Sequence, residues 1–522
     1  MITPPSKTTE GLRLAELMAA LSLATDLGMG QPLEQALRTC LIALEVAELA
    51  ALPPGDLPSV YFGALLRFLG CTADAHETAK LTGDDIVFRQ AVAPVFGAGT
   101  AQMMRSILPS VGAGVSRPAR TRLTVGFMVR GRTVVRQGVR AHCEVGEALA
   151  ARVGLPDGVR RCLNQAFEGW NGHGFPHGTR GDAIVPAARV VVISRDLEVL
   201  DRVLDPRAAA AEIARRRRAG TYDPALADLV GRHGESILMG LEGVAAWESV
   251  IEREPEPKSW VAAGRVDEVI EAFADFADLK TGFTVGHSRG VAALAARADP
   301  ENATVLRRTA LLQDLGRVAV PNPVWEKPGP LTSSEWELVR LHCYYTERVL
   351  SRCPPLASLA LNAGMHHERR DGSGYHRGLR DAAIPPMARL LAAADAYQAM
   401  TEPRPHRPSL PPRTAAAELR SEVRAGRLDA GAVEAVLDAA GHPRARVAAE
   451  LPAGLTEREA QVLRLIARGA SKREVARQLT ISPATADHHV RHIYDKLGVV
   501  TRAGAAIFAV EHGLVATDPV EK

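Results

Sequence analysis

The chain has 522 residues, a net charge of +3 and a 46% share of hydrophobic residues, which excludes wholesale disorder and predicts about three globular domains. It contains no run of about 18 apolar residues that could cross a membrane, and its first residues do not have the pattern of a secretory signal. The six cysteines form no C-x-x-C pair, which argues against a disulfide framework and predicts a reducing, cytoplasmic location.

The pattern along most of the chain predicts an all-α fold. Alanine is abundant, aromatic residues make up only 4%, and apolar residues recur at spacings of three and four, as in Val266, Ile270 and Phe273. Proline-rich stretches near 255, at 403–412 and near 450 interrupt this pattern. We therefore divide the chain into domains at 1–255 and 256–402, a linker region with helical segments at 403–450, and a domain at 451–522.

The first two segments look like copies of each other. His142-Cys143 and His342-Cys343 lie 200 residues apart, and so do Arg189 and Arg389, each of which ends an Ile-x-Pro-x-Ala-Arg motif. The strings EGWNGHGF and ERRDGSGY, which begin at Glu168 and Glu368, have the same offset. Several matches in the same order predict a duplication with insertions and deletions between the copies.

The second copy concentrates imidazole and carboxylate side chains. They are His287, Asp314, His342, His366, His367 and Asp395. Such donors suit divalent transition metals, and two ions about 4 Å apart can activate water for phosphodiester hydrolysis. Neighbouring residues on a helix point about 100° apart, so His366 and His367 either serve different ions or differ in role. A single histidine would be ordinary, and the interpretation depends on the spacing of the set.

That spacing resembles the HD-GYP family, a subgroup of the HD phosphohydrolases. The resemblance is carried by HSRGV from His287, LLQDLGR from Leu311, His342, HHERRDGSGYH from His366 and the string ADAY that contains Asp395. Members are all-helical and mostly hydrolyse cyclic di-GMP with two or three metals of the iron or manganese class.

The resemblance implies a role for each matching residue. The metal ligands would be His287, Asp314, His342, His366, His367 and Asp395, the catalytic residues Asp314 and Arg317, and the substrate-binding residues Asp371, Gly374 and Tyr375.

Two departures from the family pattern bear on activity. The family's His-Asp pair reads Gln313-Asp314, and the usual lysine is Arg317. Glutamine lacks the imidazole nitrogen, so we expect a divalent metal of the iron or manganese class to bind with reduced affinity. Arginine can still clamp a phosphate, with a different geometry. The sequence leaves open turnover, metal binding without turnover, or nucleotide binding without hydrolysis; Phe283, where three-metal members often have Glu, argues against a third metal.

The first copy has lost these ligands. Gln35 stands for His287, Arg67 and Phe68 for Gln313 and Asp314, Ala166 and Phe167 for the two adjacent histidines, and Arg195 for Asp395. Only His142 remains. We expect a degenerate helical domain with a hydrophobic replacement for the metal centre, which serves dimerisation, regulation or small-ligand sensing.

The last domain begins with two capping boxes, Thr456 with Glu459 and Ser471 with Glu474. Ser482-Pro483 then predicts the start of a third helix, which ends at Gly498. Two helices joined by a short turn form a helix-turn-helix. A small protein-interaction module is the alternative.

The string from Leu455 to Val499 resembles the LuxR-type DNA-binding domain. The resemblance implies that the helix from Pro483 to Leu497 enters the major groove, with Asp487, His488 and Arg491 toward the bases. Residues facing phosphates would be Lys472, Arg473, Thr485, His489 and Lys496. Between Leu455 and Ala503 there are nine Lys and Arg against five Asp and Glu, so the basic surplus lies in this domain.

The sequence therefore predicts a cytoplasmic, homodimeric transcription regulator that binds double-stranded DNA and contacts no membrane. Its HD-GYP-like domains would sense metal, a cyclic dinucleotide or both. The alternative is an active metal-dependent cyclic di-GMP phosphodiesterase whose DNA-binding tail localises it, and a third possibility is a scaffold without a ligand.

Overall fold

The computed structural model describes residues 11–443 and 452–514, apart from residues 97, 468 and 513. Contacts divide the chain after His442 into two units, which we call the helical body and the C-terminal unit. The predicted all-α fold is confirmed, because the described residues form helices and a single pair of two-residue strands. The strands, β1 (Leu12–Arg13) and β2 (Trp260–Val261), pair antiparallel. No described helix is both long and apolar enough to span a bilayer.

The first half of the body, residues 11–255, contains twelve described helices. They are α1 (Leu14–Gly28), α2 (Gln35–Leu49), α3 (Leu57–Leu66), α4 (Ala75–Thr82), α5 (Asp85–Val92), α6 (Thr100–Ile107), α7 (Arg117–Arg152), α8 (Asp157–Asn164), α9 (Pro186–Asp201), α10 (Pro206–Arg216), α11 (Pro224–Met239) and α12 (Ala246–Glu252).

The second half, residues 256–442, continues with nine more. They are α13 (Val266–Asp278), α14 (His287–Ala298), α15 (Ala303–Leu312), α16 (Asn322–Trp325), α17 (Ser333–Ser351), α18 (Pro354–Gly364), α19 (Pro386–Thr401), α20 (Pro412–Arg424) and α21 (Ala430–Ala439). A 3₁₀ helix, Leu315–Ala319, follows α15.

One hydrophobic core runs through both halves. Helix α1 is buried along nearly its whole length, with Leu17 and Met18 in the same cluster as Phe273 and Phe276 of α13. A helix that is apolar on every side belongs in the interior. The segment expected to be a linker, 403–450, supplies α20 and α21, whose inner residues include Leu419 and Leu437 of this core. The core therefore continues across 255 and 402, and those domain limits remain predictions.

A buried polar network also joins the halves. Lys280 Nζ donates to Asp85 Oδ2 at 2.6 Å, and both side chains are almost completely buried. The backbone amide of Asn322 donates to the other oxygen of Asp85 at 2.8 Å. Removing one partner of such a pair would leave a buried charge without compensation, so the network ties the two halves together.

Several contacts recur at equivalent positions of the two halves. Glu168 accepts from the amide of His177 at 2.8 Å, and Glu368 accepts from the amide of Arg377 at 2.8 Å. Arg189 donates to the carbonyl of Ile184 and Arg389 to that of Ile384. Each arginine also pairs with an aspartate at 3.2 Å, Asp223 and Asp429 respectively. We call this shared set the common framework.

The C-terminal unit consists of α22 (Glu457–Ala467), α23 (Lys472–Gln478), α24 (Pro483–Leu497) and α25 (Arg502–Glu511). Both predicted capping boxes form, since Thr456 and Glu459 exchange two hydrogen bonds and Ser471 and Glu474 do the same. Ser482 caps α24, and Gly498 ends it with a positive φ of 62°. Val462, Leu463 and Ile493 lie in the small core of this unit.

Candidate functional site

Five separate segments of the second half carry the predicted metal ligands. His287 is the first residue of α14, Asp314 lies in the turn after α15, and His342 lies in α17. His366 and His367 follow directly after α18, and Asp395 lies in α19. Because the histidine pair lies beyond the end of its helix, the expected helical divergence does not apply there. All these residues are buried except His367, which is half-buried.

Asp314 lies at the centre of this group. Its Oδ2 is 3.6 Å from His287 Nε2, and its Oδ1 is 3.6 Å from His342 Nε2 and 3.4 Å from His366 Nε2. Among the described residues, Oδ1 has no hydrogen-bond partner. A buried carboxylate oxygen without a donor is costly, and a cation between it and the imidazoles would remove that cost.

The donor atoms separate into two groups that could each hold a metal ion. In one group His287, Asp314 and Asp395 each offer an atom within 4.8 Å of the others, and in the second group His342, Cys343, His366 and His367 do so. His367 lies 3.9 Å from Asp395, whereas His366 lies beside Asp314. The nitrogen and oxygen donors fit divalent transition metals, so the residues present fit the implied ions.

Gln313 stands where the family pattern has a histidine, so the first group holds three donors. Its Nε2 donates to Asp395 Oδ1 at 3.1 Å, and its Oε1 is buried without a partner among the described residues. His287 Nε2 lies 3.0 Å from that same carboxylate oxygen. An amide N–H therefore occupies a lone pair of Asp395 that a cation would otherwise use.

Neighbouring charges set the protonation of the group. Burial opposes a charge on His287, but hydrogen bonds to Asp395 and Glu402 outweigh burial and raise its pKa to about 9. Burial also opposes ionisation of Asp314, yet Arg317 and the imidazoles hold its pKa well below the usual range. Arg317 Nη1 lies 2.8 Å from Asp314 Oδ2, and its guanidinium stacks 4.6 Å from the Trp325 ring.

The three predicted substrate-binding residues differ in position. The Tyr375 ring lies 4.8 Å from that of His367, so it borders the metal ligands. Asp371 is exposed and accepts from Ser373, and a side chain at Gly374 would collide with the backbone of Glu368 and Arg369. Both residues shape the loop. Gly374 also lies against the backbone carbonyl of His367, which a Cβ there would approach to 2.5 Å, whereas no described contact brings Asp371 to the predicted ligands.

A groove of about 330 Å³ opens beside Tyr375. Its lining consists of Ser333, Trp336, Glu337, Arg340, Ser373 and Tyr375. Two aromatic rings and a guanidinium are the groups that stack on a purine and attract a phosphate.

The matching position in the first half holds a different cluster. Arg67 and Phe68 follow α3, and the His142 ring lies 4.9 Å from the Phe167 ring. The ring nitrogen of His142 contacts the carbonyl of Arg67 at 3.1 Å. The sequence predicted a hydrophobic cluster in place of the metal centre. The rings are present, but the buried guanidinium groups of Arg67 and Arg195 lie among them.

In the C-terminal unit most of the predicted DNA-contacting residues are exposed. Lys472, Arg473, Thr485, His488, Arg491 and Lys496 are exposed, while Asp487 and His489 are half-buried. Asp487 pairs with both Lys472 and Arg491. These hydrogen bonds hold the pKa of Asp487 below its usual value.

Two of these residues also have structural contacts. The backbone amide of Thr485 donates a hydrogen bond to the Oγ of the cap residue Ser482 at 3.0 Å. Lys496 Nζ pairs with Glu459 at 2.6 Å and donates to the carbonyl of Gly454, so it fastens α24 to α22.

Known proteins resemble both parts of the chain. The HD domain family model matches residues 271–431, and the model described as bacterial regulatory proteins, luxR family, matches residues 453–509. The 3′3′-cGAMP-specific phosphodiesterase 3 of Vibrio cholerae is 30% identical over 408 residues, which are 76% of this chain and 88% of that protein. The chain belongs to the HD-domain proteins of the HD-GYP type.

Other HD-GYP proteins agree with this assignment. A cyclic di-GMP phosphodiesterase of Thermotoga maritima is 33% identical over 162 residues, which are 30% of this chain and 43% of that protein. A crystal structure of a cyclic GMP-AMP specific phosphodiesterase from V. cholerae superposes with a TM-score of 0.56 and 26% identity, and the match covers 83% of this chain and 98% of that one.

The structure adds residues that the HD-GYP motif did not indicate. Glu402 lies 2.8 Å from His287 Nδ1, on the side of the ring away from the other ligands. Cys343 Sγ lies 3.5 Å from His342 Nε2, and the two imidazoles near it lower the pKa of the thiol to about 7 despite burial. His492 stacks 4.2 Å from His488 on the exposed face of α24, and the spacing of four residues could have indicated it.

Proposed function

We propose that this protein is a transcription regulator in which an HD-GYP-type body senses a cyclic dinucleotide with the help of divalent metal and controls DNA binding by the LuxR-type domain. The single observation that carries the proposal is Gln313. The ligand set around Asp314 is otherwise retained, but an amide is hydrogen-bonded to Asp395 at the position of the missing imidazole. Such a site retains binding and loses much of its catalytic power.

The residues that would hold the metal ions are the two groups described above, with Asp314 between them. Metals of the iron or manganese class suit this donor set. When bound, divalent ions supply Lewis acidity toward a phosphoryl oxygen. Arg317 neutralises the Asp314 carboxylate and offers further N–H groups toward a phosphate, while Tyr375 and Trp336 offer rings for a base.

The ligand class follows from the relatives and from the groove. One relative bears the name of a 3′3′-cGAMP-specific enzyme and another that of a cyclic di-GMP enzyme. The groove beside Tyr375 offers two aromatic rings on which purines could stack, and its Arg340 is paired with Glu337 at 2.6 Å. We infer a cyclic dinucleotide of two purine nucleotides as the ligand.

We further propose that the two halves of the body arose by duplication and that the protein acts as a homodimer. The common framework supports the duplication, as does the way α2 and α14 both begin after a residue with positive φ, Glu34 at 75° and Gly286 at 82°. Single helix-turn-helix modules usually bind paired half-sites, which supports the dimer.

The test combines binding, hydrolysis and DNA recognition in the full-length protein. The operator is first selected from random duplexes, and its affinity is then measured by fluorescence anisotropy with and without 3′3′-cGAMP or cyclic di-GMP. We expect one of the two ligands to change operator affinity at least fivefold. Identical operator affinity with and without both ligands would refute the regulatory proposal.

The Gln313→His variant distinguishes sensing from enzymatic activity. Restoring the imidazole should raise metal affinity and hydrolysis of the cyclic dinucleotide by about tenfold or more. Asp314→Asn is the matched negative control, since it removes the shared carboxylate. Wild-type hydrolysis equal to that of Gln313→His would favour the alternative, a phosphodiesterase carrying a DNA-binding tail, which the match to the V. cholerae enzyme supports.

A further inference from the structure

Two buried arginines occupy the centre of the first half. Arg67 is 3% exposed and Arg195 is 4% exposed. Their guanidinium carbons lie 5.6 and 5.7 Å from the centre of the Phe68 ring, and 5.5 and 5.8 Å from that of Phe96. The Phe167 ring lies 4.9 Å from Arg67. The two cations therefore share one aromatic enclosure.

The hydrogen-bonding capacity of these guanidinium groups is largely unused. Among the described residues, Nε and Nη1 of Arg67 and Nε of Arg195 are buried without an acceptor. Arg195 uses only Nη1, which donates to the carbonyl of Ala93 at 2.9 Å and to Asp196 at 2.7 Å. Buried charged donors without acceptors are among the most costly features of a folded protein.

The local charges do not balance either. Asp196 is the carboxylate paired with Arg195, and the hydroxyl of Tyr222 also donates to it at 2.7 Å. Burial and the neighbouring Arg195 lower the pKa of Arg67 to about 10, so Arg67 remains charged at neutral pH. The buried Arg216 also interacts with Asp196, and Glu198, which Arg195 attracts, has its pKa raised to about 7 by burial. The guanidinium charges therefore exceed the carboxylate charge around the aromatic enclosure.

The enclosure lies directly beneath partly exposed groups. Phe96 and Phe167, which contact Arg67, are half-buried, whereas Phe68 on the inner side is buried. Because the guanidinium N–H groups are themselves buried, an anion would reach them once the half-buried outer rings move aside. The neutral rings provide a low dielectric around them, which strengthens the attraction.

We propose that the Arg67–Arg195 cluster is an anion-binding site that takes a phosphate group. A phosphate oxygen accepts the forked N–H groups of arginine, and its negative charge compensates the unpaired cation. The site holds phosphate without hydrolysing it, because Arg67 and Arg195 stand where the second half has Gln313 and the predicted metal ligand Asp395, and guanidinium groups hold no metal ion. This comparison of positions rests on the duplication proposed above.

The phosphate group has two chemical sources. One is inorganic phosphate. The other is the 5′-phosphate of a linear dinucleotide, which forms when water opens one phosphodiester bond of a cyclic dinucleotide and releases the 3′-hydroxyl. A site for the ring-opened product would report turnover or degradation of the ligand sensed by the second half.

The test is isothermal titration of the full-length protein, kept metal-free with a chelator so that the second half contributes no metal-held phosphate and Arg317 stays paired with Asp314. The probes are inorganic phosphate, 5′-phosphorylated guanylyl-guanosine and the same dinucleotide without its 5′-phosphate, all at matched ionic strength. We expect one phosphate group per chain, and we expect Arg67→Met to weaken binding at least tenfold. Arg140→Met, which removes an exposed arginine of α7 that pairs with Glu144, is the matched control and should leave binding unchanged.

The outcomes are decisive in each direction. Tighter binding of the phosphorylated dinucleotide than of phosphate assigns the product as ligand, and binding of inorganic phosphate alone assigns the free ion; both support the site. No binding of any probe by the wild type, or unchanged binding in Arg67→Met, overturns it. Should Arg67→Met fail to fold, Arg67→Lys keeps the charge but lacks the fork and should still weaken binding. Metal content and cyclic dinucleotide binding of the wild type test the proposed function separately.

Discussion

In the second half of the body Asp314 lies among three imidazoles, whereas in the first half Arg67, which the proposed duplication matches to Gln313, lies among three phenylalanine rings. The common framework recurs around both centres, with glutamates that accept loop amides and arginines that accompany them. On the proposed duplication, the framework is kept while the chemistry at the centre changes.

The reason lies in where the stabilising contacts are. Glu168 and Glu368, and likewise Arg189 and Arg389, satisfy backbone groups of the loop and the following helix start. Buried backbone groups need such partners whatever the side chains at the centre are. The central positions are thus free to exchange carboxylates for guanidinium groups while the loops keep their conformation.

The largest expected effect is a difference in metal affinity between variants of the second-half centre and variants of the first-half centre. His342→Gln should weaken metal binding by more than about 100-fold, because it removes a side chain that faces Asp314. His142→Gln, at the matching position of the first half, should leave metal affinity unchanged, because His142 faces Phe167 and the carbonyl of Arg67. Competition with a chromophoric chelator measures both, and circular dichroism checks the folds. Equal losses in the two variants would show that the first half also binds metal.

The second prediction tests the shared framework through two glycines. A Cβ at Gly316 would lie 2.1 Å from the carbonyl oxygen of His342, and one at Gly70 would lie 1.9 Å from that of His142. Each alanine substitution forces backbone to move, so each should lower the free energy of unfolding by about 3 kcal/mol.

Gly55→Ala and Gly329→Ala are the controls, since neither new Cβ would meet any atom within 4 Å. They should change stability by less than about 0.5 kcal/mol in denaturant titrations. Suppose that Gly70→Ala leaves the free energy of unfolding unchanged while Gly316→Ala lowers it. The close approach would then matter only around the predicted metal ligands, and the idea of a common framework would have to be abandoned.

Local signals predicted part of this structure well. Thr456 with Glu459, Ser471 with Glu474, and Ser482 with Pro483 placed the helix starts of the C-terminal unit correctly, because a cap is encoded within four residues. The family pattern also indicated residues that the fold brings close to Asp314, and their role as metal ligands stays a prediction.

Long-range packing was beyond such signals. The proline-rich stretch did not indicate that α20 and α21 would be buried in the main core. Glu402 contacts His287 only because α19 ends beside the start of α14. The N–H groups of Arg67 likewise lack partners because no acceptor among the described residues lies within hydrogen-bond distance in the folded chain. Sequence patterns report what a segment favours, whereas these features arise from segments that meet only in three dimensions.

The smallest expected effect concerns one pair of matching positions, which hold Glu198 in α9 and Gln398 in α19. Glu198 is buried, and its desolvation outweighs the attraction of Arg202 and Arg38 and raises its pKa from 4.5 to about 7. A carboxyl with a raised native pKa destabilises the fold as pH rises from 4.5 to 7, because the native state must then give up a proton that it holds more tightly than the unfolded chain.

Glu198→Gln makes the first half resemble the second at this position. It should raise the stability by on the order of 2 kcal/mol at pH 8 and leave it nearly unchanged at about pH 3, where the carboxyl is protonated in both states. Thermal midpoints of wild type and variant across this pH range measure the difference, and Gln398→Leu, which lacks a titrating group, should shift the midpoint by a pH-independent amount. A Glu198→Gln variant that loses stability at pH 8 would instead show that Arg202 and Arg38 more than compensate the burial, and that the first half depends on this carboxylate for balancing its buried arginines.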